Sequence, residues 1–234
     1  MRTKKILRKK VIELSNKIFG SSFTHRSKLA KSLNELFHIS SEILSPTRRR
    51  QARFERLNPE APWFVPDSLP YIESILKPTF VGLEWGTGRS SIWFGKRVAH
   101  ITCVEGRRTW WNEMVSRVGQ ERLETRIDLR LVEITSEFNF NNNEIDRYTG
   151  VIEEFPDESL DFVIIDGHFR EACLDRCSKK IKGGGVLILD NSDLHVFDSY
   201  HRALKNVEYY NFTNGIWETT IFHAPNNGGF KGLF

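Results

Sequence analysis

The chain has 234 residues, 39% of them hydrophobic, and a formal net charge of +4, which fits one α/β-sized domain with an extension, or two small domains. No run approaches the ~20 consecutive apolar residues of a membrane-spanning helix. The first residues, MRTKKILRKKVIEL, lack the apolar core and small-residue cleavage site of a signal peptide, so a cytoplasmic protein is expected.

The charge is unevenly distributed. Residues 1–56 hold 15 Lys/Arg and 4 Asp/Glu, a net of +11, whereas residues 57–234 hold 19 and 26, a net of −7. The expected organisation is a basic helical extension over 1–56 and a main domain over 57–234. In the extension, Ile6, Leu7, Val11, Ile12, Leu14, Ile18 and Phe19 recur at helical spacing between lysines and arginines. Such a helix docks on its own domain or lies peripherally on an anionic membrane. The cluster TRRRQARFER is a solvated linker face, or a contact for nucleic acid or lipid.

Asn58 to Pro66, NPEAPWFVP, is a proline-punctuated entry to the main domain. Asp67 or Ser68 then starts a short helix through Leu76. Strands are expected over Thr79–Leu83, Ala99–Val104, Arg126–Ile134, Leu160–Ile165 and Val186–Leu189. Helices are expected over Arg89–Arg97, Thr109–Val118, Phe169–Lys180 and Leu194–Leu204. Residues 136–157 read as a polar loop, and Gly183-Gly184-Gly185 as the break after a helix. Val207–Phe212 and Ile216–Phe222, joined through Thr213-Asn214-Gly215, read as an antiparallel hairpin. Strands alternating with helices imply a mostly parallel sheet covered on both faces. The cysteines, Cys103, Cys173 and Cys177, are an odd number with no second pair for a zinc site, and read as reduced, buried thiols.

The first strand runs into Glu84-Trp85-Gly86-Thr87-Gly88-Arg89-Ser90-Ser91. In a doubly wound sheet, ligands bind beyond the carboxyl ends of the strands. A nicotinamide loop has the form G-x-G-x-x-G/A, but the third position here is Ser91. Glu84 would repel a pyrophosphate and attract a cationic amino-acid moiety. The pattern resembles the class I S-adenosylmethionine (SAM)-dependent methyltransferases, whose first motif is acidic-x-Gly-x-Gly. Glu84, Gly86 and Gly88 match it, with Ser90 in place of a third glycine. Glu105, at the end of the second strand, matches the acidic residue that takes the ribose hydroxyls. The resemblance runs from about residue 62 to the C-terminus. It implies a Rossmann-like, doubly wound seven-stranded α/β sheet ending in an antiparallel hairpin, with SAM held by Glu84, Gly86, Gly88, Ser90 and Glu105. The purely structural alternative is that the glycines only allow a tight turn and Glu105 only caps a helix.

Strand four ends in Asp166-Gly167-His168-Phe169-Arg170 and strand five in Asp190-Asn191-Ser192-Asp193. Two carboxylates and an amide oxygen on one rim are hard ligands for Mg²⁺ or Ca²⁺. The arrangement resembles catechol and caffeoyl-CoA O-methyltransferases, and that resemblance implies metal ligands at Asp166, Asp190 and Asn191. Those enzymes carry a lysine base where this chain has Phe169. His168 is the better substitute base, because imidazole exchanges protons near neutral pH. Arg170 suits an anionic group of the acceptor. Asp166, His168 and Arg170 are thus the expected catalytic residues. Residues 161–193 also resemble a bacterial methyltransferase group that accompanies sugar and cell-surface biosynthesis. Trp63, Phe64, Trp110, Trp111 and Trp217 line a pocket or pack in the core.

The leading expectation is therefore a SAM-dependent methyltransferase acting on oxygen of a small molecule or glycan, with or without a divalent metal. A nucleic-acid methyltransferase gripping through the basic region is the first alternative. IDGH at the end of strand four differs, however, from the Asn/Asp-Pro-Pro-aromatic motif of enzymes that methylate base amino groups. A non-catalytic binding protein on the same fold is the second alternative.

Overall fold

The structure is a computed structural model and describes residues 46–135, 141–194, 202, 204, 206–227, 229 and 230. The chain divides into two compact units. Among the described residues, the first holds 46–59 with Asn214–Ile216, and its helix α1 spans Pro46–Leu57. The apolar-spaced segment Ile6 to Phe19 lies outside the described residues, as does most of the helix expected over 194–204.

The second unit carries an α/β sheet. Its elements are α2 (Ser68–Ile75), β1 (Val81–Trp85), α3 (Arg89–Gly95), β2 (His100–Glu105), α4 (Arg108–Gln120), β3 (Ile127–Leu131), α5 (Asn142–Thr149), a 3₁₀ turn (Gly150–Glu154), β4 (Leu160–Ile165), α6 (Arg170–Cys177), β5 (Ile181–Asp190), β6 (Tyr209–Thr213) and β7 (Glu218–His223). Among the described residues seven strands form one sheet in the order β3-β2-β1-β4-β5-β7-β6. The first five are parallel, while β7 runs antiparallel to both β5 and β6. This is the Rossmann-like doubly wound sheet with a C-terminal hairpin. The strand order reverses between β1 and β4, and that reversal opens the crevice for ligands at their carboxyl ends.

The central strands are apolar because both faces are covered. In β4 only Asp161 escapes full burial, and it ties strands together at the far end of the sheet. Its Oδ2 accepts the Val81 amide at 2.8 Å and its Oδ1 accepts Lys182 Nζ at 2.8 Å. Phe94 of α3 stacks on Phe162 with centroids 5.3 Å apart. Trp85 is fully buried, and its indole N–H donates to the carbonyl of Tyr148 at 3.1 Å. Cys103, Cys173 and Cys177 are buried free thiols.

Three local expectations are corrected. Strand β1 lies two residues later than Thr79–Leu83, because its pairing starts at Val81 opposite His100 and runs to Trp85 opposite Val104. Residues 136–157 are not all loop: α5 forms behind a capping box. The Asn141 side chain accepts the Glu144 amide at 2.9 Å, and Glu144 accepts the Asn141 amide in return. Gly183–Gly185 lie inside β5, where the pairing with β4 shifts register between Leu160 and Phe162.

Candidate functional site

The turn after β1 is fixed by close backbone approach. Gly86 has φ +101°, and a Cβ there would lie 3.0 Å from the Asp166 carbonyl carbon and the Gly167 nitrogen. Gly167 meets the same turn from the β4 side: its Cβ would lie 2.3 Å from Tyr148 Oη and 2.6 Å from the Gly86 nitrogen. The turn is tethered by the Gly86 amide donating to Val104 O at 2.9 Å and by Trp110 Nε1 donating to Thr87 O at 2.6 Å. Gly88 differs, since nothing lies within 4 Å of where its Cβ would sit. The loop thus presents open space at Gly88 while Gly86 is packed from below.

Glu84 is fully buried within β1. Both its oxygens are used by the first turn of α3: Ser90 Oγ donates to Oε1, and Ser91 Oγ donates to Oε2 at 2.5 Å. Ser91 Oγ also accepts the Gly88 amide at 3.1 Å, so the carboxylate holds the loop through the serines. Its attraction for a cationic group would act through the loop rather than by contact. Burial pushes the Glu84 carboxyl up to about 7, against the serine hydrogen bonds that lower it. Ser90 is likewise buried and turned inward rather than standing where a third glycine would meet a ligand.

Glu105 ends β2 with little exposure. Its Oε1 accepts the Arg107 amide at 2.7 Å, and its Oε2 accepts the Thr87 hydroxyl at 2.6 Å. A carboxylate already receiving one hydroxyl beside the glycine loop has the chemistry to receive sugar hydroxyls instead. At the end of β3, the strand paired with β2, lies a groove of about 630 Å³, with Leu131, Val132 and Val151 between Arg108, Glu133, Asp146 and Arg147.

On the other side of the crevice, Asp166 and Asp190 stand at the ends of the neighbouring strands β4 and β5, close enough for their charges to act on each other. Asp190 is 4% exposed and the Asp166 side chain 30%. Burial raises both carboxyls, Asp190 the more strongly because the Asp166 charge adds to it, while Arg170 pulls in the opposite direction. Thr219 Oγ1 donates to Asp190 Oδ1 at 2.8 Å and accepts the Val65 amide at 3.0 Å. Arg170 reaches across both strand ends. It donates to Asp166 Oδ1 at 2.8 Å, to Asp166 O at 3.1 Å, to Gly167 O at 3.2 Å and to Asp190 O.

His168 stands in the turn between β4 and α6, its amide 3.4 Å from Tyr148 Oη and its ring 6.0 Å from the Tyr148 ring. Phe169 follows in the left-handed region at φ +50°. Asn191 is also left-handed, at φ +51°.

The expected metal set fits poorly. The Arg170 guanidinium already pairs with one oxygen of Asp166, and one oxygen of the Asp190 carboxyl accepts from Thr219. Asp166, Asp190 and Asn191 therefore gather at one rim without forming an open cation site.

Sequence reasoning missed Thr87, Ser91, Tyr148 and Thr219. The Ser90-Ser91 pair directly after the loop was the one readable signal, since two hydroxyls next to a buried acid are its natural partners. Tyr148 and Thr219 are far away in sequence and gave none.

No protein-family model and no curated protein matches the chain. Solved structures do. A methyltransferase from Geobacter sulfurreducens is 12% identical, covers 81% of this chain and 96% of its own, and superposes with a TM-score of 0.52. An O-methyltransferase from Bacillus cereus, solved in complex with S-adenosylhomocysteine (SAH), is 15% identical over 78% of this chain and 93% of its own, with a TM-score of 0.50. A SAM-dependent O-methyltransferase from Thermotoga maritima is 13% identical over 73% of this chain and 70% of its own, again at 0.50. At these identities the likeness is one of fold: the chain shares the α/β fold of these methyltransferase structures.

Proposed function

We propose that this chain is a SAM-dependent methyltransferase that methylates an oxygen of a small molecule or glycan. The observation that carries this reading is the pairing of Glu105 with the Thr87 hydroxyl beside a loop that leaves open space at Gly88. Such a carboxylate takes ribose hydroxyls, and the open glycine lets a ligand approach the backbone. The groove at the end of β3, the strand that pairs with Glu105, has volume enough for a nucleoside. Two of the similar structures are O-methyltransferases by name, and one of them holds SAH.

SAM, when bound, supplies a methyl group already activated on a sulfonium. The protein then has to align the acceptor and remove its proton. Glu84 holds the loop in shape through Ser90 and Ser91, and Glu105 exchanges Thr87 for the ligand's hydroxyls. His168, whose ring lies near Gly106 at the end of β2, is the imidazole proposed to take the acceptor's proton. Asp166 and Asp190, with Arg170, form the wall that the acceptor meets. The geometry supports a reaction without a divalent cation, because the carboxyls that would bind one are already engaged.

The test is transfer of labelled methyl from SAM to a panel of phenols, catechols and glycans, followed by identification of the methylated atom. Methyl ethers are expected, and methylation only on nitrogen or carbon would overturn the choice of oxygen.

A second reading, methylation of nucleic acid, draws on the net +11 of residues 1–56. It requires salt-sensitive RNA or DNA binding that disappears when those residues are removed.

A further inference from the structure

We infer that Arg170 takes the place of a divalent cation at the acceptor side of this site, joining the carboxyl-bearing ends of β4 and β5 with its own guanidinium. The inference deepens the methyltransferase reading and depends on it only for the identity of that side.

The geometry is specific to arginine. Three of its nitrogens are used: Nε on Gly167 O at 3.2 Å, one terminal nitrogen on both Asp166 Oδ1 and Asp166 O, and the other on Asp190 O. A guanidinium donates in several fixed directions in one plane and keeps its charge throughout the working pH range. A metal at this rim would do the same two things. It would balance the charge of two neighbouring acids, and it would hold two strand ends in register.

The position of Arg170 follows from the local fold. Phe169 adopts the left-handed conformation and ends the turn, so α6 begins at Arg170, four residues after Asp166. The first residue of α6 therefore faces back over the end of β4, and a long side chain there reaches β5. The Arg170 side chain is 17% exposed and that of Asp166 30%, so the ion pair is partly shielded from solvent. Thr219, itself held by the Val65 amide, donates to one oxygen of the Asp190 carboxyl and fixes its orientation.

The experiment measures the thermal midpoint of the full chain in EDTA and in excess Mg²⁺, Ca²⁺ or Mn²⁺, for the wild type, Arg170→Ala and Arg170→Lys. The wild type and Arg170→Lys should show midpoints that do not depend on the cation. Arg170→Ala, which leaves Asp166 without its ion-pair partner and Asp190 without the nearby positive charge, should be destabilised in EDTA and rise by about 3 °C or more when a cation fills the gap. Calorimetric titration of the wild type with Mn²⁺ should give no saturable heat, and this arm holds even if Arg170→Ala does not fold. Saturable Mn²⁺ binding by the wild type would overturn the inference. So would a folded Arg170→Ala that responds to none of the three cations. SAH titration of the wild type in EDTA separates the two claims: loss of SAH binding sinks the methyltransferase reading while the cation results still decide the role of Arg170.

Discussion

Replacing Glu84 by Gln gives a sharp test of the loop's electrostatics. The residue is fully buried, and its carboxyl is raised from 4.5 to about 7, chiefly by burial. A shift of that size corresponds to about 3 kcal/mol, since each unit is worth about 1.4 kcal/mol. The sign follows from proton counting. Between about pH 4.5 and 7 the folded chain keeps a proton that the unfolded chain has released, so stability falls as pH rises through this window. Below it both states are protonated, and above it both are ionised. Asp166 and Asp190 are raised as well and act in the same direction, so the wild-type curve alone does not isolate Glu84. The difference between Glu84→Gln and wild type does. Glutamine keeps the shape and an oxygen for one serine, and its amide can donate to the other. Urea denaturation at a series of pH values should show Glu84→Gln gaining about 3 kcal/mol relative to wild type between pH ~4.5 and ~7, then running parallel to it. A difference that is flat with pH, or that favours the carboxylate as pH rises, would refute the assignment of Glu84 as a buried, reluctant anion.

Other expectations follow from the same contacts. Gly86→Ala and Gly167→Ala should each cost about 1–3 kcal/mol in denaturant, because each forces a Cβ into backbone or Tyr148, whereas Gly88→Ala should leave stability nearly unchanged and weaken SAH binding by calorimetry. Glu144→Ala removes the capping box of α5 and the carboxylate that accepts from Thr135, and should lower stability by about 1–2 kcal/mol in the same assay. His168→Gln should reduce methyl transfer by about 10²–10⁴-fold in single-turnover measurements with an unchanged Kd for SAH.

The legible parts of this fold were those written in local pattern. LDFVII announces a strand buried on both faces, and two apolar runs either side of an Asn-Gly announce a hairpin. Glu84 and Glu105 were visible because an acid at the end of an apolar run is costly unless it has a task. Helix α5 was hidden by its own cap: the asparagines before it look like loop, and only the Asn141-to-Glu144 spacing separates a cap from a tether. Gly183–Gly185 misled because glycine serves equally to stop a helix and to shape an irregular strand, and the choice depends on pairing with β4. The inward turn of Ser90 and the span of Arg170 across β4 and β5 depend on partners brought together only by the sheet. No spacing along the chain encodes them. The same holds for the cation site: Asp166, Asp190 and Asn191 have the right chemistry in sequence, and a neighbouring guanidinium changes what that chemistry is used for.

The central claim is that the turn between β1 and α3 and the end of β2 together hold SAM. Calorimetric titration of the purified full chain with SAH, alongside Glu105→Ala, tests it most directly. Saturable binding by the wild type, weakened at least tenfold in a folded Glu105→Ala, is the predicted result; a tenfold loss corresponds to about 1.4 kcal/mol, within reach of a single charge-assisted hydrogen bond. No binding by a folded wild type, or equal binding by both proteins, would contradict it.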